Sequence, residues 1–165
     1  MKYTIIDTQL GPLLIAGDAQ GLRHVSFQSS NSPLRPQPDW IEDPGICMDA
    51  QKQLRAYFAG ELKEFDLKLA PQGTAFQKRV WRELEKIPYG EMISYGELAK
   101  RIGNAKASRA VGAANGRNPL PVVVPCHRVI GGDGSLTGYA GGVRFKRALL
   151  ELEGGVSDKK QQNLI

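Results

Sequence analysis

Apolar residues in the first part of the chain alternate with polar ones or form short runs, a pattern that is typical of β-strands. Gly11-Pro12 and Gly17-Asp18 interrupt this pattern at positions where turns are expected. Short strands joined by such turns predict an antiparallel meander. The predicted strands are residues 3–8, 12–16 and 22–27.

The segment after the meander changes from loop to helix. Residues 29–45 are rich in Ser and Pro, which predicts an irregular connection. Residues 46–59 place apolar side chains at helical spacings, and Gly60 ends the run. Residues 1–70 are therefore expected to form a unit of antiparallel sheet and helix.

The second part is predicted to be mainly helical. The segments Thr74–Gln77 and Ser94–Glu97 both fit the capping-box pattern, in which side chains at the first turn satisfy free backbone N–H groups. They predict helices over 75–86 and 95–102. The apolar residues expected to be buried by the first of these helices are Phe76, Val80, Trp81 and Leu84.

A third helix is predicted over 105–115, with Asn104 as its cap. Two short helices joined by the tight turn at Gly103 resemble a helix-turn-helix. The third helix has almost no side-chain bulk, which allows its backbone to approach another surface closely. Tight packing inside the core is one interpretation; the other is a helix lying in a DNA groove, which Arg109 and Arg117 favour because they could contact phosphates.

The elements together predict an α+β fold. A last helix is expected over 143–153, followed by a polar tail at 156–165. Pro71 and Gly73 mark a boundary, so that a unit over 74–155 follows the N-terminal sheet and helix.

Charge is divided unevenly between the two predicted units. The 165-residue chain carries 22 Lys and Arg against 17 Asp and Glu, a net charge of +5. Residues 1–73 hold a net −2 and residues 74–165 hold +7. This asymmetry favours a nucleic-acid partner for the second part, although a solvated basic face is an equally simple explanation.

Composition excludes several classes of protein. No run of eighteen apolar residues suggests a membrane span, and the N-terminus lacks the apolar stretch of a secretory signal. The two cysteines, Cys47 and Cys126, are too few for a disulfide framework or a four-cysteine zinc site. We therefore expect a reducing, cytoplasmic setting.

The candidate chemistry lies in the segment around Cys126. Val122–Val124 is β-branched and predicts a buried strand that Pro125 ends. A thiol needs a base to become a nucleophile, and His127 follows directly. The alternatives are an inert core cysteine and a structural histidine.

Pro125-Cys-His-Arg-Val129 is the signature of the O6-alkylguanine-DNA alkyltransferases, and the chain resembles this family over residues 74–155. Its strand-rich first part is similar to the N-terminal domain of that family. Further blocks that resemble the family are Arg109-Ala-Val-Gly-Ala-Ala-Asn115, Asn118-Pro119, Thr137–Gly142 and Leu149–Gly154.

The resemblance implies that Cys126 accepts an alkyl group irreversibly from O6-alkylguanine in DNA, and it leaves O4-alkylthymine open as a second substrate. His127 would activate the thiol through a water, and Glu153 would orient His127. Asn118 would brace the turn that carries the cysteine. Tyr95 would hydrogen-bond the guanine and donate a proton to it.

The resemblance also implies a base pocket and a DNA surface. Tyr139 would lie beside the leaving base, the carbonyls of Cys126 and Val129 would accept from its amine, and the Ala140 N–H would donate to O6. Arg109 would fill the gap left by a flipped nucleotide. The small helix would enter the minor groove without reading sequence, through Ala107, Ser108, Ala110 and Gly112, with Arg117 nearby.

The sequence differs from some family members in the residues that could bind a metal. Only Cys47 and His24 are available for a zinc site in the first part, so we expect no metal and no cofactor. We expect a monomer, with cooperative assembly on DNA left open, that associates with the nucleoid when on DNA. A non-catalytic DNA-binding module and a cysteine hydrolase are the competing hypotheses.

Overall fold

Short strands with buried apolar residues form the predicted meander in the computed structural model, which describes residues 1–137, 139 and 142–155. The middle strand is buried on both faces, with Leu13–Gly17 buried without interruption. The first three strands pair antiparallel. The first and third are one residue longer than predicted and the second is three residues longer. They are β1 (Lys2–Thr8), β2 (Gly11–Asp18) and β3 (Gly21–Phe27). A short strand, β4 (Ile41–Glu42), lies within the predicted loop and pairs parallel with β1, which gives the order β3-β2-β1-β4.

Over the described residues, five α-helices and a second, two-stranded sheet complete the fold. Helix α1 occupies Met48–Phe58, inside the predicted 46–59. The two strands are β5 (Ile93–Ser94) and β6 (Val129–Ile130), which pair in parallel. The remaining helices are α2 (Ala75–Leu84), α3 (Tyr95–Arg101), α4 (Ser108–Gly116) and α5 (Val143–Leu152). The predicted α+β class is confirmed.

The caps of the helices follow the predictions in part. Thr74 and Gln77 form the complete capping box. Ser94 accepts from the Glu97 N–H, but the Glu97 carboxylate pairs with Arg101 instead of closing the box. The predicted Asn104 cap is wrong, because its side chain accepts from the Lys106 N–H in a turn and α4 starts only at Ser108.

Two further predictions are wrong for identifiable reasons. Phe76 is 36% exposed because it lies in the first turn of α2, whose buried side begins at Val80. Val122–Val124 is buried as expected but forms a turn instead of a strand. Prolines 121 and 125 flank it and cannot donate to a strand ladder, and Val122 has a φ of 77°, which a β-branched residue rarely adopts.

One hydrophobic core runs through both parts of the chain. The Phe27 ring of β3 stacks on Phe145 of α5 with centroids 4.6 Å apart. The Val25 N–H of β3 donates to the Pro119 carbonyl at 2.9 Å. The predicted units 1–70 and 74–155 therefore share buried surface, and residues far apart in sequence can meet at one site. Within the described residues, no helix combines the length and the apolar character needed to cross a membrane.

Candidate active site

The β5–β6 pair brings two site segments together. Ile93 pairs with Val129, and Ser94 pairs with Ile130. Helix α3 starts directly after β5 with Tyr95, and a short 3₁₀ turn, Cys126–Arg128, comes directly before β6. This pairing places the predicted tyrosine and the predicted nucleophile beside each other.

Cys126 is buried, with 4% of its surface exposed. Burial raises the pKa of its thiol to about 11, although a hydrogen bond from the Asn118 side chain and the nearby Lys146 ammonium act in the opposite direction. The thiol is therefore protonated at neutral pH, and it needs a base before it can attack an electrophile.

Two asparagines hold the turn that carries Cys126. The Asn118 side chain donates to the Val124 carbonyl at 2.8 Å and accepts from the Leu120 N–H at 2.9 Å. The Asn115 amide, on α4, donates to the Cys126 carbonyl at 3.3 Å. Sequence reasoning gave Asn115 no role, although Asn115 is the last residue of the family-like block that starts at Arg109.

His127 and Glu153 form a buried pair, with His127 Nε2 at 2.7 Å from Glu153 Oε2. Burial lowers the pKa of His127, and the Glu153 carboxylate opposes that shift without reversing it. A neutral imidazole that donates from Nε2 carries its free lone pair on Nδ1. That Nδ1 is buried and has no hydrogen-bond partner among the described residues, so it is the atom able to take a proton.

Glu153 is held as a carboxylate by several donors. Burial alone would raise its pKa, but hydrogen bonds from His127 and Arg128 lower it to about 2. Arg128 Nε donates to Oε1 at 2.8 Å and Nη2 donates to Oε2 at 3.0 Å. The Tyr57 hydroxyl of α1 donates to Oε2 at 2.5 Å. Sequence reasoning missed Arg128 and Tyr57, because neither contact follows from spacing along the chain.

Lys146 is a second group that sequence reasoning missed. It lies on α5, is fully buried, and donates to the Thr137 carbonyl at 2.8 Å and to the Tyr95 hydroxyl at 3.5 Å. Burial lowers its pKa to about 8. The Tyr95 hydroxyl in turn donates to the Thr137 carbonyl at 2.8 Å, and burial raises its pKa. Tyr95 and Lys146 thus form a proton-carrying pair beside Cys126.

Cys126 opens into a cavity of about 210 Å³ with mainly apolar walls. Asn115, Asn118 and Tyr139 line it on the side of the second part of the chain. Strand β3 and the loop after it form the opposite wall through Val25, Phe27, Ser30 and Leu34, among others. The Tyr139 hydroxyl is buried without a partner among the described residues, so it is available to a polar atom in the cavity.

Helix α4 has a buried and an exposed side. Val111, Ala114 and Asn115 are buried, and the Trp81 indole of α2 donates to the Ala114 carbonyl at 2.8 Å. The exposed side carries Arg109, Ala110 and Ala113, and Arg117 follows at the end of the helix. The two interpretations of the small helix therefore apply to its two sides, one packed on α2 and one open to a partner.

The remaining predicted site residues are distributed as follows. Ala107 and Ser108 are half-buried at the start of α4, and Gly112 faces the Tyr95 ring. Val129 is fully buried in β6. Ala140 and the tail 156–165 lie outside the described residues.

The two residues considered for a zinc site, His24 and Cys47, have other surroundings. His24 stacks on Trp40 with centroids 5.7 Å apart, and Cys47 directly precedes α1. In the described part of the chain, no group of three or more His, Cys, Asp or Glu side chains could hold a metal ion.

Comparisons with known proteins cover both parts of the chain. Residues 75–155 match the family model described as 6-O-methylguanine DNA methyltransferase, DNA binding domain. Residues 1–71 match the one described as 6-O-methylguanine DNA methyltransferase, ribonuclease-like domain.

Individual relatives agree with the family models. A methylated-DNA–protein-cysteine methyltransferase of Methanosarcina acetivorans is 56% identical over 154 residues, 93% of this chain and 99% of that protein. The crystal structure of Mycobacterium tuberculosis OGT in complex with DNA matches with a TM-score of 0.87 and 50% identity over 98% of both chains. An O6-methylguanine DNA methyltransferase of Methanococcus jannaschii matches with a TM-score of 0.65 and 28% identity, over 93% of this chain and 95% of that one.

Proposed function

The chain belongs to the 6-O-methylguanine DNA methyltransferase family, and we propose that it repairs DNA by moving an alkyl group from O6-alkylguanine to Cys126. The observation that carries the assignment to Cys126 is a buried thiol that opens into a cavity, on the residue that precedes His127 of the buried His127–Glu153 pair. A nucleophile, a base and a group that orients the base are the parts that covalent catalysis needs.

The transfer follows from the chemistry of these groups. The thiol proton passes to His127 Nδ1, through a water, while sulfur attacks the alkyl carbon. The S–C bond forms as the bond from that carbon to O6 breaks, and Tyr95 delivers a proton to the departing guanine. The product at Cys126 is a thioether, which water does not hydrolyse, so each chain acts once and no turnover follows.

Several residues would prepare the site for this reaction. Asn118 and Asn115 hold the turn and the Cys126 carbonyl, which would accept from the guanine amine together with the Val129 carbonyl. Tyr139 would lie against the base inside the cavity. The Ala140 N–H is proposed as the donor to O6 on the strength of the family resemblance alone.

We propose that α4 enters the minor groove. Its exposed side carries only small residues and Arg109, and a narrow groove admits a helix with so little bulk. The minor groove presents little information about base sequence, which suits a protein that must repair lesions in any sequence context. Ala107, Ser108, Ala110 and Gly112 would approach the sugars, and Arg117 would contact a phosphate.

Arg109 is proposed to enter the base stack in place of the flipped nucleotide. Arg109→Ala should therefore slow repair of O6-methylguanine in a duplex more than reaction with the free modified base. Arg55→Ala, which removes an exposed charge from α1, is the matched control. An equal fall in the transfer rate with the duplex and with the free base would contradict this role of Arg109.

The assembly and the location of the protein are also proposals. The chain is expected to act as a monomer in the cytoplasm and to associate with the nucleoid when on DNA, with O4-alkylthymine open as a second lesion. Sedimentation with and without a duplex of several site lengths would reveal assembly on DNA as a mass larger than one chain per site.

The transfer reaction is tested with a duplex that carries a methyl-labelled O6-methylguanine. Label should become bound to the wild-type chain and to Cys47→Ser, and it should stay on the DNA with Cys126→Ser. Cys47 is the matched control because its thiol is also unpaired and its pKa is also raised by burial. Label on Cys126→Ser, or none on the wild type, would contradict the proposal.

A further inference from the structure

Tyr57 reaches the reactive site from the other part of the chain. It lies on α1, is fully buried, and its hydroxyl donates to Glu153 Oε2 at 2.5 Å. The same oxygen lies 2.7 Å from His127 Nε2. We propose that Tyr57 is a positioning residue for alkyl transfer, whose hydroxyl fixes Glu153 and so sets the basicity of His127; this rests on the roles proposed above for Cys126, His127 and Glu153.

The carboxylate needs a second support. Glu153 follows the last residue of α5, and Gly154 turns the chain away with a φ of 73°. The helix therefore does not by itself fix the direction of the side chain. Arg128 holds the carboxylate from one side, and Arg128 is itself anchored by donation to the Ile87 carbonyl at 2.6 Å. Tyr57 supplies the hydrogen bond from the N-terminal part.

The Tyr57 ring is held in place before any substrate binds. Its centroid lies 5.4 Å from Phe65 and 6.2 Å from Tyr89, the second in an edge-on arrangement. Such aromatic packing restricts the ring to one orientation. The Tyr89 hydroxyl donates to the Leu152 carbonyl at 3.3 Å instead of to the Glu153 carboxylate. The neighbouring tyrosine thus shares the packing of Tyr57 but lacks its bond to Glu153.

The Tyr57 hydroxyl also affects how readily His127 takes up a proton. Burial and the Glu153 carboxylate raise the pKa of Tyr57 far above its ordinary value, so it remains a donor. A donor on Oε2 withdraws electron density from the oxygen that accepts from His127, which makes a protonated His127 less stable. The other titratable or charged groups around the pair are Arg128, Lys146, Cys126 and Tyr89, and none of them is altered when only the Tyr57 hydroxyl changes.

Tyr57→Phe removes that hydroxyl and keeps the ring. Single-turnover transfer from an O6-methylguanine duplex should be measured between pH 4.5 and 8, with Tyr89→Phe as the matched control. Without the Tyr57 donor, His127 should protonate more readily, so the acidic limb of the rate profile should move up by about half a pH unit, or about threefold in the ionisation constant. The limiting rate reports positioning separately, and it should fall because the Glu153 carboxylate then lacks one of the hydrogen bonds that hold it beside His127. Tyr89→Phe should show no shift of the acidic limb.

A second variant keeps the hydroxyl and strengthens it as a donor. Fluorotyrosine at position 57 has a more acidic hydroxyl, so it should move the acidic limb to lower pH, opposite to Tyr57→Phe. An unmoved profile in both variants, even with a lower rate, would overturn the proposal and reduce Tyr57 to a packing residue. Absence of methyl on Cys126 in the wild type would instead overturn the proposed function, so the two failures are distinguishable.

Discussion

The chemistry at the residue scale depends on which buried groups keep their charge. Cys126 and His127 are neutral, whereas Glu153 is ionised because His127, Arg128 and Tyr57 all donate to it. The thiolate is the nucleophilic form of cysteine, so a buried, protonated thiol reacts slowly with oxidants and electrophiles. In the proposed mechanism, Cys126 therefore stays unreactive until a substrate fills the cavity and His127 takes the thiol proton.

Glu153→Gln tests the carboxylate. Loss of the charge weakens His127 as a base, and the transfer rate should fall about a hundredfold, the lower end of what general-base catalysis contributes. Arg128 would also be left buried without its partner, which costs about 3–5 kcal/mol of stability. Single-turnover rates measured well below the unfolding temperature, together with DNA affinity, separate the two effects.

The matched control is Glu151→Gln, an exposed glutamate in the last turn of α5, two residues before Glu153. It should transfer alkyl groups at the wild-type rate. DNA affinity of Glu153→Gln should stay close to that of the wild type, because the carboxylate is buried and does not line the cavity. An unchanged transfer rate would remove Glu153 from the mechanism.

At the scale of elements, α4 packs against the core with one side and forms the proposed DNA surface with the other. Ala110 is exposed on its outer side. Ala110→Leu should weaken duplex binding by about tenfold, because the added side chain holds the helix out of a narrow groove, a loss of about 1.4 kcal/mol. The unfolding temperature should change little, since the side chain points to solvent. Fluorescence anisotropy on an unmodified duplex measures the affinity.

The control for this substitution is Ala59→Leu, an exposed alanine at the end of α1. It adds the same bulk to a surface that does not contact DNA in the proposed complex. Duplex affinity should be unchanged. Equal weakening by both substitutions would mean that α4 has no special place in DNA binding.

Elements with local signals could be predicted from sequence, and those with long-range causes could not. The meander and the helices follow from alternation, helical spacing and capping residues. Val122–Val124 has strand propensity but lacks a ladder partner between its flanking prolines. For the site, Cys126 and His127 stand in a recognisable motif. Tyr57 and Lys146 do not, because only the folded chain brings them to Glu153 and Tyr95.

At the scale of the whole molecule, the two parts of the chain are one working unit. The N-terminal part carries a net −2 and has no helix-turn-helix, yet it supplies one wall of the cavity and the Tyr57 hydroxyl. The second part carries +7, the nucleophile and α4. DNA binding and transfer are thus assigned mainly to one part, and the preparation of the site to both.

The buried ion network at Glu153 and the two buried or half-buried histidines should make the stability of the protein sensitive to acid. Glu153 has a pKa of about 2 when folded against an ordinary 4.5, and burial lowers the pKa of both histidines below 6.5. In each case the unfolded chain binds more protons, so stability is lost as pH falls. The free energy of unfolding should decrease below pH 6.5, and Glu153 should contribute a loss of about 3 kcal/mol between pH 4.5 and 2.

Urea unfolding at several pH values between 7 and 2 measures this dependence. Glu153→Gln should be less stable at pH 7 and should lose less stability on acidification than the wild type. Parallel pH curves for the two proteins would contradict the low pKa assigned to Glu153.

The central claim is that Cys126 is a nucleophile consumed once per chain. Peptide mass mapping after reaction with excess O6-methylguanine duplex tests it most directly. The account predicts one added methyl group per chain, on the peptide that contains Cys126, with Cys47 unmodified and guanine restored in the DNA. A methyl group on another residue, or continued demethylation beyond one lesion per chain, would contradict it.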